Sequence, residues 1–261
     1  MNLSKALINR KVPEITLVFW LTKLLSTAMG ESTSDYLVYK YNPYLAVAIG
    51  FLALAVGLYF QFKSKKYKPH IYWFAVLMVA IFGTMAADGV HIKLGVPYVT
   101  STIVFAIMLA LIFITWQRFE HNLSIHKINT RRREIFYWLT VMATFALGTA
   151  AGDLTASNFG LGYFMSGIFF FGLFLLPAIG FWYFGLNEIL AFWTAYIITR
   201  PLGASFADWF AKPKSINGLG YGDGIVSLIL AVLIIVLVIY MSLNKKEEKK
   251  EDPGSFKALN K

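Results

Sequence analysis

Four carboxylates recur at one register of an otherwise apolar chain. Asp35, Asp88, Asp153 and Asp208 each stand fifteen residues after a Trp (Trp20, Trp73, Trp138 and Trp193), and each Trp follows a Phe or Tyr. A carboxylate at the end of an apolar stretch is expensive unless it has a partner or a task. Four residues before each Asp, on the same helical face, stand Glu31, Thr84, Thr149 and Ala204. The stripe therefore offers two carboxylates in the first copy, a hydroxyl and a carboxylate in the second and third, and a lone carboxylate in the fourth. Hard cations take such oxygen ligands. Glu31 and Asp35 are like charges at i,i+4, a repulsion that a proton or a bound cation would relieve. A site centred on copies one to three is expected, with a divalent cation as the one cofactor the donors suit.

Two cations interrupt the fourfold pattern. Lys23 and Arg200 lie inside apolar runs and have no basic counterpart in the other copies. They are expected as intramembrane counter-charges, either paired with acids of neighbouring helices or standing in for a transported cation or proton. His91, three residues after Asp88, is the one histidine near the stripe, and no H-E-x-x-H spacing occurs. The chain has no Cys, which excludes thiolate chemistry and disulfides. With no nucleophile–base pair and no metal triad in sequence, no catalytic residue is assigned and an enzyme is not expected.

The elements that must position these groups are helices. Of 261 residues 57% are hydrophobic and only 15% charged, against about 25% charged in soluble domains, and the mean hydropathy is +0.60. The apolar runs fall at about 14–36, 44–62, 71–90, 97–117, 135–156, 160–183, 189–210 and 224–242, each long enough to cross a bilayer. The expected fold is an all-α integral membrane protein of eight transmembrane helices in a single domain, residues 1–261. The net charge of +10 resides between the runs, which argues for membrane loops and against nucleic acid. Lys and Arg concentrate at Lys5, Arg10 and Lys11, in 63–68, in the basic linker 118–134 with Arg131, Arg132 and Arg133, and in the charged tail 243–261. The positive-inside rule then places both termini in the cytoplasm of an inner-membrane protein. The first run is not read as a cleaved signal peptide, since a cut there would sever Trp20 from Asp35.

One odd and one even span make a unit, giving repeats at about 14–62, 71–117, 135–183 and 189–242. Each starts on the same side, so the four are parallel, in a pseudo-fourfold or two-by-two arrangement of hairpins. Within each copy Gly30, Gly83, Gly148 or Gly203 is followed four residues later by a small residue, the spacing that lets helices approach closely. Each Trp lies roughly 22 Å along the helix from its Asp, which suits an aromatic anchor at the interface. Pro201 should kink the seventh span, and Asp223 should cap the eighth.

These residues resemble a bacterial membrane family built from four tandem copies of a two-helix repeat catalogued as of unknown function, whose mark is a Trp in each copy. Trp20, Trp73, Trp138 and Trp193 match that position, over about residues 13–243. The resemblance implies the architecture and carries no activity. From the residues themselves, the leading expectation is a transporter or channel for a small cation, divalent or proton-coupled, using the repeated Asp. The alternative is an accessory or regulatory membrane protein whose Asp residues form structural ion pairs. Lipid and the cation are the expected partners, and a homo-oligomer is left open.

Overall fold

The computed structural model describes residues 10–251, with the side chains of residues 92 and 245–251 left aside; Lys5 and residues 252–261 of the tail lie outside the described residues. Within them are eight long helices: α1 (Leu17–Lys40), α2 (Pro43–Lys63), α3 (Pro69–Ile92), α4 (Tyr98–Glu120), α5 (Arg131–Asp153), α6 (Gly162–Phe184), α7 (Glu188–Ala211) and α8 (Asp223–Glu251). Their ends follow local chemistry. Thr16 accepts from the Phe19 N–H at the start of α1, Asn42 caps α2 ahead of Pro43, Thr130 caps α5, and Asn187 caps α7. Gly185, at φ +66°, ends α6 in the left-handed conformation. The fifth helix continues beyond Asp153 as a π-helical turn, Leu154–Asn158.

Six helices are long and apolar enough to cross a membrane: α2, α3, α4, α5 with its π turn, α6 and α8. The other two, α1 and α7, are as long, but Lys23, Glu31 and Asp35 in the first and Arg200 and Asp208 in the second make them more polar. Those are the helices with most to bury, and both belong to an inner ring.

The ring closes in the order α1, α3, α5, α7 and back to α1, each packed on the next. Around it, α2 packs chiefly on α3, α4 on α5, α6 on α7, and α8 on α1. The outer helix of each copy therefore covers the inner helix of the following copy, and the last helix closes onto the first. The arrangement is cyclic rather than two-by-two, and the hairpins interlock instead of standing as self-contained units. The exposed side chains of the outer helices, such as Ile103, Ile107 and Leu111 of α4 or Leu228, Val232 and Ile235 of α8, are apolar.

Two sets of contacts hold the ring, and both follow one cyclic rule. The aromatic residue before each Trp packs on the Trp of the next copy: Phe19 on Trp73 at 5.9 Å, Tyr72 on Trp138 at 5.7 Å, Tyr137 on Trp193 at 6.1 Å, and Phe192 on Trp20 at 5.7 Å between centroids. The repeated Trp residues thus turn inward as an aromatic collar rather than outward as interface anchors; Trp73, Trp138 and Trp193 are buried and Trp20 half-buried. Ten residues on, each glycine meets the next copy. A Cβ at Gly30 would lie 2.5 Å from the Ala80 Cβ, one at Gly83 2.9 Å from the Phe145 Cβ, one at Gly148 2.3 Å from the Arg200 Cγ, and one at Gly203 2.0 Å from the Thr27 Oγ1.

Residues 10–16 lie across the Trp end of the ring. Tyr67 N–H donates to the Arg10 carbonyl at 2.8 Å and Lys11 N–H to the Ile128 carbonyl at 3.2 Å. Lys11 Nζ reaches the fully buried Glu134 at 2.6 Å, and Gln61 Nε2 donates to the same carboxylate at 3.0 Å. Val12 of this strap is buried and joins the collar's apolar core.

Candidate functional site

The inner face of each ring helix is a stripe with a step of four residues, and the ring stacks the equivalent positions into layers. Counting from the Trp end, Phe19, Tyr72, Tyr137 and Phe192 form the first. Lys23, Val76, Val141 and Tyr196 form the second, Thr27, Ala80, Phe145 and Arg200 the third, and Glu31, Thr84, Thr149 and Ala204 the fourth. Residues of the second, third and fourth layers are each at most 4% exposed. The four repeated Asp form the fifth layer, with Asp35 and Asp208 buried and Asp88 and Asp153 half-buried. The axis is therefore filled by side chains, apolar and aromatic at the Trp end and increasingly acidic toward the Asp end.

Arg200 organises the fourth layer. Its Nη2 donates to Thr84 Oγ1 at 2.5 Å and Thr149 Oγ1 at 2.7 Å, and pairs directly with the Glu31 carboxylate; its Nη1 donates to the Thr27 carbonyl at 3.5 Å. One guanidinium from the fourth copy thus gathers the fourth-layer residues of the other three. The cost of burying it is offset by that counter-ion and those hydroxyls. Lys23 is different. Its Nζ has no hydrogen-bond partner among the described residues and sits over the Phe145 and Tyr196 rings, 4.3 and 4.2 Å from their centroids. Neither cation bonds to any of the four repeated Asp.

The fifth layer has its own cation. Lys212, just beyond α7, pairs with Asp35, lies 3.7 Å from Asp208 and 3.5 Å from Asp223, the first residue of α8. Burial alone would lower the Lys212 ammonium, but Asp208, Asp35 and Asp223 together raise it well above its ordinary value, so it stays charged. The loop that carries it folds back over the end of α7: Leu219, Gly220, Tyr221 and Gly222 N–H donate to the carbonyls of Trp209, Lys212, Phe210 and Ala211. A Cβ on Gly218 would meet the Lys212 carbonyl at 1.9 Å, so only glycine lets this loop close.

Ligand oxygens of Glu31, Asp153 and Asp208 lie within 4.8 Å of one another and could hold a metal ion. Asp88 is within electrostatic reach of Glu31, Asp153 and Asp35, and of Arg200 with the opposite sign. Neither Asp88 nor Asp153 makes a hydrogen bond or ion pair with the described residues, and one Asp208 oxygen is buried without a hydrogen bond. Five carboxylates of the fourth and fifth layers thus face two cations, Arg200 and Lys212. The close triad draws on copies one, three and four, so the fourth copy contributes fully; the expected centring on copies one to three does not describe it. His91 does not join it: its Nδ1 lies 3.0 Å from the Val96 carbonyl and its Nε2 3.2 Å from Ser101 Oγ, within its own turn. Two clefts open on the outer surface, one beside Val104, Met108 and Phe136, the other beside Asn187 and Trp193; neither is lined by the carboxylates.

Lys212 had a signal in the sequence. It stands four residues after Asp208 and is the next step of the inner stripe, where the other copies hold Tyr39, Ile92 and Ser157.

A family model for a repeat of unknown function, DUF347, matches the chain four times, over residues 18–67, 71–122, 136–185 and 191–247. No curated protein and no solved structure matches.

Proposed function

The chain belongs to this DUF347 repeat family, and from that premise we propose that it is a multi-pass protein of the inner membrane that carries a small hard cation, with both termini in the cytoplasm. The ring helices form the carrier and the outer helices its lipid-facing coat. The observation that carries the reading is the convergence of Glu31, Asp153 and Asp208 oxygens within 4.8 Å beside an Asp88 that makes no direct ion pair with the described residues. Oxygen donors of this kind suit a divalent cation such as Mn²⁺ or Mg²⁺. With the Trp end in the cytoplasm, the acidic cup opens outward and the aromatic collar closes the axis inward. A filled axis of this kind calls for alternating access rather than a continuously open pore.

The test is transport by the purified protein in liposomes loaded with a divalent-cation dye. Asp88→Asn with Asp153→Asn removes two carboxylates while leaving the Arg200 and Lys212 pairs intact, and should lower uptake at least about tenfold. Uptake equal to that of the unaltered protein would refute the proposal. A second reading, an accessory protein with purely structural ion pairs, is favoured by one observation: Arg200 and Lys212 already satisfy Glu31 and Asp35. It expects no cation-dependent uptake in the unaltered protein.

A further inference from the structure

A buried ammonium with no acceptor is the least comfortable group in this fold. Lys23 is 1% exposed, and its Nζ makes no hydrogen bond with the described residues and sits over the faces of Phe145 and Tyr196. Those rings attract the charged form by cation–π interaction, while the uncharged amine needs no acceptor there. The box therefore tolerates both protonation states, which a salt bridge would not. Arg200 shares the same Phe145 ring, its Cζ 5.4 Å from the centroid, so two like charges flank one aromatic side chain. Arg200 is tolerated there because Glu31 neutralises it.

Glu31 cannot serve two partners at full strength. It is either the counter-ion of Arg200 or, with Asp153 and Asp208, a ligand of a cation in the cup. When a cation claims it, the positive charge of Arg200 loses its counter-ion and acts on Lys23. Resting on the carrier reading, we propose that Lys23 is the proton site of a cation–proton exchange, giving up its proton when a cation occupies the Glu31–Asp153–Asp208 cup. The N–H bond breaks with its electron pair staying on nitrogen, the ammonium becomes an amine, and the proton leaves to solvent as the cation enters.

The surroundings of Lys23 contain few rivals for this role. From α7 they are Arg200 and Tyr196, and one layer toward the Trp end Tyr72 of α3 and Tyr137 of α5, whose hydroxyls lie 2.5 Å apart. Its own helix offers Glu31 two turns away. The part of α8 from 224 to 244 carries no charge and one Tyr, Tyr240, and α2 and α6 carry no charged residue between 44 and 62 or between 162 and 184.

The full-length protein in detergent is titrated with Mn²⁺, free Mn²⁺ being followed by electron paramagnetic resonance and released protons by an indicator dye in weak buffer. Lys23→Met should stay monodisperse, because it removes an unpartnered buried charge from an apolar box. It should bind Mn²⁺ at least as tightly as the unaltered protein but release about one proton fewer per ion. Lys23→Arg fixes the charge, and should weaken Mn²⁺ binding about tenfold with no release from this position. Equal proton counts for the unaltered protein and Lys23→Met, or unchanged Mn²⁺ affinity in Lys23→Arg, would overturn the exchange and leave the carrier standing. Absence of Mn²⁺ binding in the unaltered protein would remove both.

Discussion

Arg200 is the residue on which the neighbouring copies converge. Its guanidinium touches Glu31, Thr84 and Thr149, one residue from each of the other three inner helices, and is itself wholly buried. Removing one partner of a buried ion pair is far more damaging than removing both, because the survivor stays desolvated and unpaired. Glu31→Gln should therefore lower stability by about 3 to 5 kcal/mol, and adding Arg200→Leu should recover most of that loss. Thermal unfolding in one detergent reads both variants. A double variant less stable than Glu31→Gln alone would mean that Arg200 holds the ring chiefly through Thr84, Thr149 and the Thr27 carbonyl. The same asymmetry explains why Lys23 stands apart: no acid depends on it, so its loss orphans nothing.

The helices were legible from the sequence in a way that their neighbours were not. Apolar runs long enough to span a bilayer gave all eight elements, because in such a chain the backbone must satisfy its own hydrogen bonds. The recurrence of Asp at one register likewise announced a shared layer before any contact was known. Which helix covers which was hidden, since α2, α4, α6 and α8 are apolar on nearly every face and carry no stripe to point inward. Local connection misled as well: α1 and α2 are joined by two residues, Tyr41 and Asn42, yet α2 spends its packing on α3. Glycine spacing signalled close approach without naming the partner, and the ring supplies it. At Gly148 a methyl group would strike Arg200 and Pro201, whereas at Gly89, also helical, it would meet nothing within 4 Å. Gly148→Ala should thus cost about 1 to 3 kcal/mol by overpacking, while Gly89→Ala should gain up to about 1 kcal/mol from helix propensity. Thermal melts of the pair separate packing from propensity; equal shifts would mean that the α5–α7 approach is loose.

At the scale of the whole molecule, the decisive feature is closure between the first and last repeats. A linear row of four interlocked hairpins would leave α1 uncovered at one end and α8 unsupported at the other. Here α8 lies on α1, and Ser227 Oγ donates to Ser32 Oγ at 3.2 Å across 195 residues of sequence. Hydrogen-bonded side chains at this contact bring the two backbones near enough to try a disulfide, which forms where the Cβ atoms come within about 4.5 Å. The chain contains no cysteine, so Ser32→Cys with Ser227→Cys introduces a single defined pair. Oxidation should cross-link it within one chain, giving a faster-migrating monomer on a non-reducing gel. Closing so long a loop should also raise stability, by up to about 5 kcal/mol in the chain-entropy model and by less if the bridge strains the contact. Cross-linked dimers would show instead that α8 closes the ring of a second copy, and a pair that resists oxidation would show that the ring is open between α8 and α1. Closure within one chain makes the cup the property of a single protein. Its carboxylates come from three helices, α1, α5 and α7, that no hairpin holds together, so the cup exists only while the ring is shut.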